Sequence, residues 1–194
     1  SGKSSLTSTD RGQLTENIID SFGPGRVMFR NTRKVLGGFP QRRPVLHPID
    51  PPAEETPSFD QKIQWLISWL TENENEKILL ICKTRSLVEE IYEAVQEHIN
   101  LNLSQFHEGL NLIQRDRQAA YFADPEGARV LLCSEIGSEG RNFQFAHHLI
   151  LWDLPENPEL LEQRIGRLDR IGQTETIHIH LPFVKNSPEE VWVR

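Results

Sequence analysis

Three arginines recur at every third position near the carboxyl-terminal end of the sequence: Arg164, Arg167 and Arg170. Asn157 can cap a helix that begins there and Gly172 can end one, so the stretch between them is predicted to form a single helix. At about 100° per residue, side chains three positions apart remain on one flank of such a helix. Guanidinium groups gathered on one flank repel each other unless an anion faces them. The chemistry that this pattern favours is therefore the binding of a phosphate or a carboxylate.

The carboxylates of Glu162 and Asp169 could be those anions, in which case the arginines pair within the chain. The residue order Gln-Arg-Ile-Gly-Arg-Leu-Asp-Arg-Ile-Gly-Gln points to a phosphate instead. It resembles the last helicase motif of the superfamily-two ATPases, and its ending is similar to that of the SWI/SNF branch. The resemblance implies that Arg167 and Arg170 are catalytic and reach the γ-phosphate of an ATP held by another lobe. The other residues of the motif that it places on the nucleotide side are Gln163 and Arg164.

A second stretch follows a predicted buried strand and runs Ser-Glu-Ile-Gly-Ser-Glu-Gly-Arg-Asn-Phe-Gln-Phe. Its glycines, Gly137 and Gly140, allow backbone amides to approach a phosphate or sugar closely, although a glycine pair after a strand is also a common turn. The same family resemblance divides the stretch between two ligands. Ser134 and Glu135 are implied on the nucleic-acid side, and Glu139, Gly140 and Asn142 on the nucleotide side.

Phe-His-Glu-Gly, which contains His107 and Gly109, comes directly after another predicted strand. On its own this sequence is most often a turn. In the company of the other two stretches it resembles the family's His-Gly motif, which contacts the nucleic-acid backbone without recognising sequence. Lys83, at the end of a further strand, is placed on the nucleic-acid side by the same resemblance.

Strands and helices alternate between Ser58 and the end of the chain. Lys77 to Lys83 and Arg129 to Ser134 are apolar runs typical of strands buried on both faces of a parallel sheet. Helices are predicted after Ser58, Ser86, Asn111 and Ser187, and further strands at 103–106, 148–154 and 176–183. This order predicts an α/β fold with right-handed crossovers. The family resemblance implies the RecA-like, P-loop-NTPase type of sheet found in helicase C-terminal lobes.

The first 57 residues differ in composition from the rest. They include a predicted helix between Thr9 and Phe22, followed by an arginine-rich run that resembles the segment joining the two ATPase lobes in SWI/SNF proteins. The resemblance implies that Arg30 or Arg33 could line the nucleotide cleft, and the alternative is that both are solvated charges on a linker. Proline is dense between Pro40 and Pro57, which excludes helix and favours an extended tether. We therefore predict an inter-lobe linker over 1–57 and a helicase C-terminal domain over 58–194.

Composition excludes several classes of protein. No apolar run approaches the roughly 18 residues of a membrane span, so a cytoplasmic protein with no membrane contact is expected. Cys82 and Cys133 are predicted to be buried thiols of a reducing compartment. His178 and His180 alternate along a strand, which predicts a solvated face, and no metal site is assigned. Because the net charge is −7, binding of phosphates must depend on local placement of cations.

Taken together, these resemblances imply the second ATPase lobe of a SWI/SNF-type translocase. ATP and Mg²⁺ would be held mainly by an absent first lobe, because the sequence lacks a complete phosphate loop. The resemblance is strongest to a bacterial branch that associates with RNA polymerase. The implied partners are RNA polymerase, the backbone of double-stranded DNA or of a DNA/RNA duplex, and an N-terminal RecA-like lobe. The alternative is a module that docks on polymerase without catalysis.

Overall fold

The computed structural model of the protein describes residues 38–51, 58–135 and 142–193. The chain divides into two compact units, 1–39 and 40–194, and nearly all described residues belong to the second. The predicted helix between Thr9 and Phe22, Arg30 and Arg33, and the nucleotide-side candidates Glu139 and Gly140 lie outside the described residues.

Six parallel strands form one sheet in the described part of the chain. They are β1 (Arg42–Ile49), β2 (Ile78–Cys82), β3 (Leu103–Phe106), β4 (Val130–Ser134), β5 (His148–Leu151) and β6 (Ile177–Val184). Their spatial order is β1-β6-β5-β2-β4-β3, and every neighbouring pair is parallel. The predicted parallel α/β sheet is thereby confirmed. The carboxyl ends of all six strands consequently meet at one edge, where ligands of such sheets bind.

Five helices flank the described sheet: α1 (Ser58–Glu72), α2 (Arg85–His98), α3 (Leu112–Ala123), α4 (Pro158–Ile165) and α5 (Pro188–Val193). Helices α1 and α2 pack on one face through a core cluster that contains Ile78 and Leu80. The opposite face carries a second cluster that contains Leu79, Ile81 and residues of α3 and α4. Alternate residues of β2 thus enter opposite cores, which explains why this strand is apolar throughout. None of the described helices is both long and apolar enough to cross a bilayer.

Strand β1 lies in the segment that the sequence predicts to be a tether. All eight residues of β1 pair with β6, and the second compact unit begins at Pro40, whereas the predicted domain begins at Ser58. The carbonyl of Ile49 accepts the Lys185 N–H at 2.9 Å. The backbone N–H and C=O groups of the odd-numbered residues of β1 therefore point towards β6, and those of the even-numbered residues point away from it. Pro44 and Pro48 therefore occupy outward positions, where an edge strand tolerates a missing N–H.

The arginine-rich helix is shorter than predicted. Helix α4 ends at Ile165, and the chain continues through turns that we call the arginine turn, residues 166–173. The carbonyl of Arg167 accepts the Phe143 N–H at 2.9 Å, so it does not serve as a helical acceptor. Gly172 has a φ of +95°, a conformation that favours glycine. The argument that three arginines share one helical flank is therefore wrong beyond Arg164.

The burial predicted for the two cysteines is found in the structure, whereas the exposure predicted for two histidines is not. Cys82 and Cys133 are buried free thiols, as predicted, and burial raises the pKa of Cys82 to about 12. The solvated face predicted for His178 and His180 is wrong. His180 is buried because α1 covers this part of the sheet with Trp69, whose ring centroid lies 4.6 Å from that of His180.

Candidate functional site

The candidate site lies at the carboxyl edge of the sheet, where four neighbouring strands end. Lys83 follows β2, His107 follows β3, Ser134 ends β4 and Asp153 lies two residues beyond β5. Because β5, β2, β4 and β3 are adjacent in that order, these residues are brought to one edge although they are spread over 71 positions of sequence. The sheet therefore brings Lys83, His107 and Ser134, three of the predicted nucleic-acid residues, to one edge.

Arg164 is the most tightly held side chain at this edge. It is 2% exposed, and its Nη1 donates to Asp153 Oδ1 at 2.9 Å and to the Asp153 carbonyl at 2.7 Å. Its Nε donates to Glu135 Oε2 at 3.0 Å, and its Nη2 pairs with the same oxygen. The Lys83 backbone N–H donates to Asp153 Oδ2 at 2.8 Å. Arg164 therefore joins the ends of β4 and β5, and Asp153 extends that connection to β2.

The segment after β3 is fixed by a separate set of hydrogen bonds. Ser134 Oγ donates to Glu108 Oε2 at 2.6 Å, which lowers the pKa of Glu108 because the bond favours the charged carboxylate. The Gly109 N–H donates to His107 Nδ1 at 3.2 Å. Burial lowers the pKa of His107, so its imidazole is neutral at pH 7 and Nδ1 can accept this bond. His107 is 3% exposed, so it supports the loop from within.

Gly109 and Lys83 are the exposed members of the predicted nucleic-acid set. A Cβ on Gly109 would lie 2.3 Å from Nη1 of Arg85, so the absence of a side chain lets that flexible guanidinium cross the loop. The side chain of Arg85 is half exposed and pairs with Glu89 at 2.7 Å. Arg115 donates to the carbonyl of Leu110 at 2.9 Å. At this edge Lys83 and Arg85 are therefore exposed beside a loop that is held by hydrogen bonds with His107 and Arg115.

The arginine turn is fastened to the segment that contains Asn142. The Phe143 N–H bonds to the Arg167 carbonyl, and Gln173 Nε2 donates to the Gln144 carbonyl. Asn142 is exposed, and its amide donates to Gln144 Oε1 at 3.3 Å. The structure therefore brings the nucleotide-side candidate Asn142 to the same part of the domain as the predicted catalytic arginines.

The two predicted catalytic arginines differ in their surroundings. Arg167 is 9% exposed and lies between the buried residues Ile165 and Leu168. Arg170 is exposed, and no described carboxylate forms an ion pair with it. Gln163, on α4, is also exposed. Of the arginines in this motif, Arg170 is therefore the one whose charge is presented outwards.

Sequence reasoning missed several residues that build the site. Asp153, Glu108 and Arg42 each hold a predicted site residue or its neighbour through a side-chain hydrogen bond. Asp153 and Glu108 could have been found, because each is a carboxylate placed within two residues of a strand's carboxyl end. Arg42 carries no such signal, since it acts on residues more than 100 positions later in the chain.

Comparison with known proteins identifies this arrangement. A family model described as the helicase conserved C-terminal domain matches residues 61–172, which is more than half of the chain. The match includes most of α1, all of α2 to α4 and most of the arginine turn. The chain belongs to this family. Arg42 lies outside the range that the family model matches.

Relatives of known name support a finer assignment. The RNA polymerase-associated protein RapA of Pseudomonas fluorescens SBW25 is 42% identical over 97% of this chain. RapA of Pseudomonas aeruginosa LESB58 is 44% identical over 93% of the chain. The chain spans only 24% and 22% of the lengths of these two relatives. The predicted resemblance to the RapA-like branch of the SWI/SNF ATPases is thereby confirmed for this helicase C-terminal domain.

Solved structures agree on the fold. The C-terminal part of the Fun30 ATPase domain gives a TM-score of 0.58 at 22% identity, covering 71% of this chain and 44% of that one. The E. coli DEAD-box protein SrmB, in a complex with RraA, gives 0.59 at 18% identity, covering 75% of this chain and 78% of its own. The helicase C-terminal domain therefore has the RecA-like α/β fold that the sequence predicts.

Proposed function

We propose that this chain is the second ATPase lobe of a SWI/SNF-type nucleic-acid translocase that acts on RNA polymerase complexes in the bacterial cytoplasm, at the nucleoid. Membership of the helicase C-terminal family and similarity to RapA support the general class. The observation that carries the catalytic role is the placement of Arg170. Its exposed guanidinium extends from a turn whose preceding residues, Leu168 and Asp169, are buried.

Arg170 is proposed to reach the γ-phosphate of ATP when the first lobe closes on this one. A guanidinium directed at a transferring phosphoryl group stabilises the charge that develops there. Arg167 is proposed as its partner, and its burial would keep the turn rigid as well as add positive potential. Asn142 and Gln163, both exposed, are proposed to contact the nucleotide, together with Glu139 and Gly140.

ATP and Mg²⁺ are proposed to be bound mainly by the first lobe. Exposed guanidinium and amide groups fit a phosphate, whereas Mg²⁺ requires oxygen ligands such as carboxylates. No group of three or more His, Cys, Asp or Glu side chains suited to a metal occurs among residues 38–51, 58–135 and 142–193. Mg²⁺ bound with ATP would neutralise phosphate charge, and the contribution of this chain is the arginine and amide contacts.

The nucleic-acid backbone is proposed to lie along the edge formed by Lys83, Gly109, Ser134 and Glu135. Lys83 provides exposed positive charge of the kind that binds phosphate without reading sequence. The Ser134 hydroxyl already bonds to Glu108 and the Gly109 N–H to His107, so the proposed role of these two residues is to hold the loop after β3 in place beside the nucleic-acid backbone. Glu135 is occupied by Arg164, so its proposed role is to hold the end of β4 in place. Movement of this lobe relative to the first would then shift the grip along the duplex.

An arginine substitution in the full-length protein tests the catalytic role. Arg170→Ala should lower ATP hydrolysis by about a thousandfold, while the affinity for nucleotide, measured by equilibrium binding, stays close to that of the parent. Arg43→Ala is the matched control, because Arg43 is exposed on β1 and belongs to none of the proposed contacts. A rate for Arg170→Ala equal to that of the control would exclude the proposed role.

The division of labour between the lobes has its own test. The purified 194-residue chain should hydrolyse no ATP, with or without nucleic acid, because the γ-phosphate would have to be presented by the other lobe. Addition of a separately purified first lobe should restore measurable hydrolysis. Sustained turnover by this chain alone would contradict the proposal.

A further inference from the structure

An ion-pair network connects the first residue of β1 to the arginine turn. Arg42 Nη1 donates to both carboxylate oxygens of Glu162, at 2.8 and 2.9 Å, and Arg42 Nε donates to Asp169 Oδ2. The Arg42 side chain is 20% exposed, that of Glu162 is 52% exposed and that of Asp169 is fully buried. One guanidinium therefore holds the outer side of α4 and the interior of the turn together.

Asp169 is the critical member because of its position in the chain. It lies directly before the exposed Arg170 and directly after Leu168, which is fully buried in the core. A buried carboxylate that loses a cationic partner is destabilised and must move, find another partner or take up a proton. Loss of Arg42 would therefore disturb the backbone from which the Arg170 side chain extends.

Arg42 is itself held by the sheet. The Gln41 carbonyl accepts the Ile177 N–H at 2.8 Å, and β1 and β6 are in register from Arg42 opposite Ile177 to Ile49 opposite Val184. The backbone from which the Arg42 side chain extends is thus fixed by the pairing of β1 with β6. It also belongs to a strand that follows segment 1–39 in the chain and lies outside the range matched by the family model.

We propose that Arg42 is a positioning residue for Arg170, through which strand β1 is coupled to the arginine turn. This inference rests on the proposed function, since it assigns Arg42 to the step in which Arg170 meets the γ-phosphate. Displacement of β1 from β6 would withdraw the guanidinium from Asp169 and misplace Arg170. Hydrolysis would then depend on whether β1 stays paired with β6.

The simpler role for Arg42 is to fasten β1, which would affect stability alone. The two roles differ in their kinetic effects. A misplacement of about 1 Å at a reacting centre can lower the rate by about 100-fold. Arg42→Gln in the full-length protein should therefore lower kcat for ATP by about that factor, while KM stays near the parent value. Arg42→Lys keeps a positive charge that can form one ion pair, but it loses the guanidinium that contacts Glu162 and Asp169 together. Its kcat should therefore lie between that of the parent and that of Arg42→Gln.

Four companion variants test whether the effect comes from the pair of Arg42 with Asp169. Asp169→Asn should reproduce the kcat loss of Arg42→Gln, and the double variant should lose no more than either single one, because both remove the same pair. Glu162→Gln breaks only the exposed pair and should change kcat little. Arg43→Gln, the neighbouring exposed arginine, should match the parent in kcat. Circular dichroism and thermal unfolding of each variant would establish that the rates refer to folded protein.

The decisive comparison is made by single-turnover hydrolysis in an Arg170→Ala background. If Arg42 acts through Arg170, Arg42→Gln should cause no further loss there. A further 100-fold loss in that background, or an unchanged kcat for folded Arg42→Gln and Arg42→Lys in the parent, would overturn this inference while leaving the proposed function in place. Full activity of Arg170→Ala itself would instead overturn the proposed function.

Discussion

Arg164 Nη1 lies 2.9 Å from Asp153 Oδ1, and the same buried guanidinium also pairs with Glu135. The two carboxylates are each about one-fifth exposed, so both depend on Arg164 for part of the solvation that they lose on folding. This relationship gives Arg164 a structural role at the junction of β4, β5 and α4. Its predicted contact with nucleotide remains a prediction.

Removal of Arg164 should therefore destabilise the fold. Arg164→Ala leaves two partly buried carboxylates without their cation, and breaking such a network by removing one partner costs about 3–5 kcal/mol. Urea denaturation of the chain should show this loss in the free energy of unfolding. Arg43→Ala, which removes an exposed arginine, should change it by no more than about 0.5 kcal/mol. A similarly small change for Arg164→Ala would contradict the structural role.

A chain of stacked histidines lies between the sheet and α1. His47 Nε2 and His148 Nδ1 each lie 2.9 Å from a ring nitrogen of His180, and His148 Nε2 lies 3.5 Å from the Glu76 carboxylate. The ring of His178 stacks on that of His148 at 5.0 Å. Burial lowers the pKa of His47 and of His148, and it lowers the pKa of His180 to about 3. The folded state thus favours neutral imidazoles at these three positions.

Stability should therefore decline on the acidic side of neutrality. A histidine whose folded-state pKa is lowered stabilises the fold above its unfolded value of about 6.5, and this contribution is lost as the pH falls towards the folded-state value. We expect the free energy of unfolding from urea titrations to fall between about pH 7 and pH 5. His180→Phe should make this decline shallower, because it removes the most strongly perturbed ring.

His98→Phe is the matched control for the histidine experiment. The His98 ring is exposed on α2, and its Nδ1 bonds to the Ala94 carbonyl at 2.8 Å. The pH dependence of this variant should follow that of the parent chain. If His180→Phe and His98→Phe gave parallel curves, the histidine chain would not be the source of the acid sensitivity.

Lys83 should contribute to nucleic-acid binding through charge alone. In the full-length protein, Lys83→Gln should weaken binding to duplexes of any sequence and reduce the slope of log K against log salt by about 1. Lys185→Gln is the comparison, since Lys185 also follows the end of a strand but is partly buried and pairs with Asp50 at 2.6 Å. Equal salt slopes for the parent and the Lys83 variant, measured by fluorescence anisotropy, would remove Lys83 from the interface.

The elements that could be predicted from sequence are those with strong local signals. The apolar runs of β2 and β4 identify central strands, and Asn111 with Gln114 forms a complete capping box at the start of α3. The family motifs also place Lys83, His107 and Ser134 at one edge of the sheet. These features depend on residues close together in the chain, or on a topology that parallel strands impose.

The features that sequence reasoning missed depend on distant partners. Helix α4 ends early because Arg167 bonds to Phe143, 24 positions earlier, and β1 joins the sheet through β6, 135 positions later. Arg164 is satisfied by carboxylates that follow two different strands. No local pattern encodes such pairings, so the separation of the motif's arginines into buried and exposed members becomes visible only in the folded chain.

The two prolines of β1 whose backbone nitrogens face away from β6 affect self-association of the protein. The outer rim of the sheet lacks two of the donors that an incoming backbone would need, at Pro44 and Pro48. Strand-by-strand growth of the sheet into a fibril is therefore disfavoured at this rim. The prolines that make this segment resemble a loose tether in sequence therefore also protect the outer edge of β1 from pairing with a strand of another molecule.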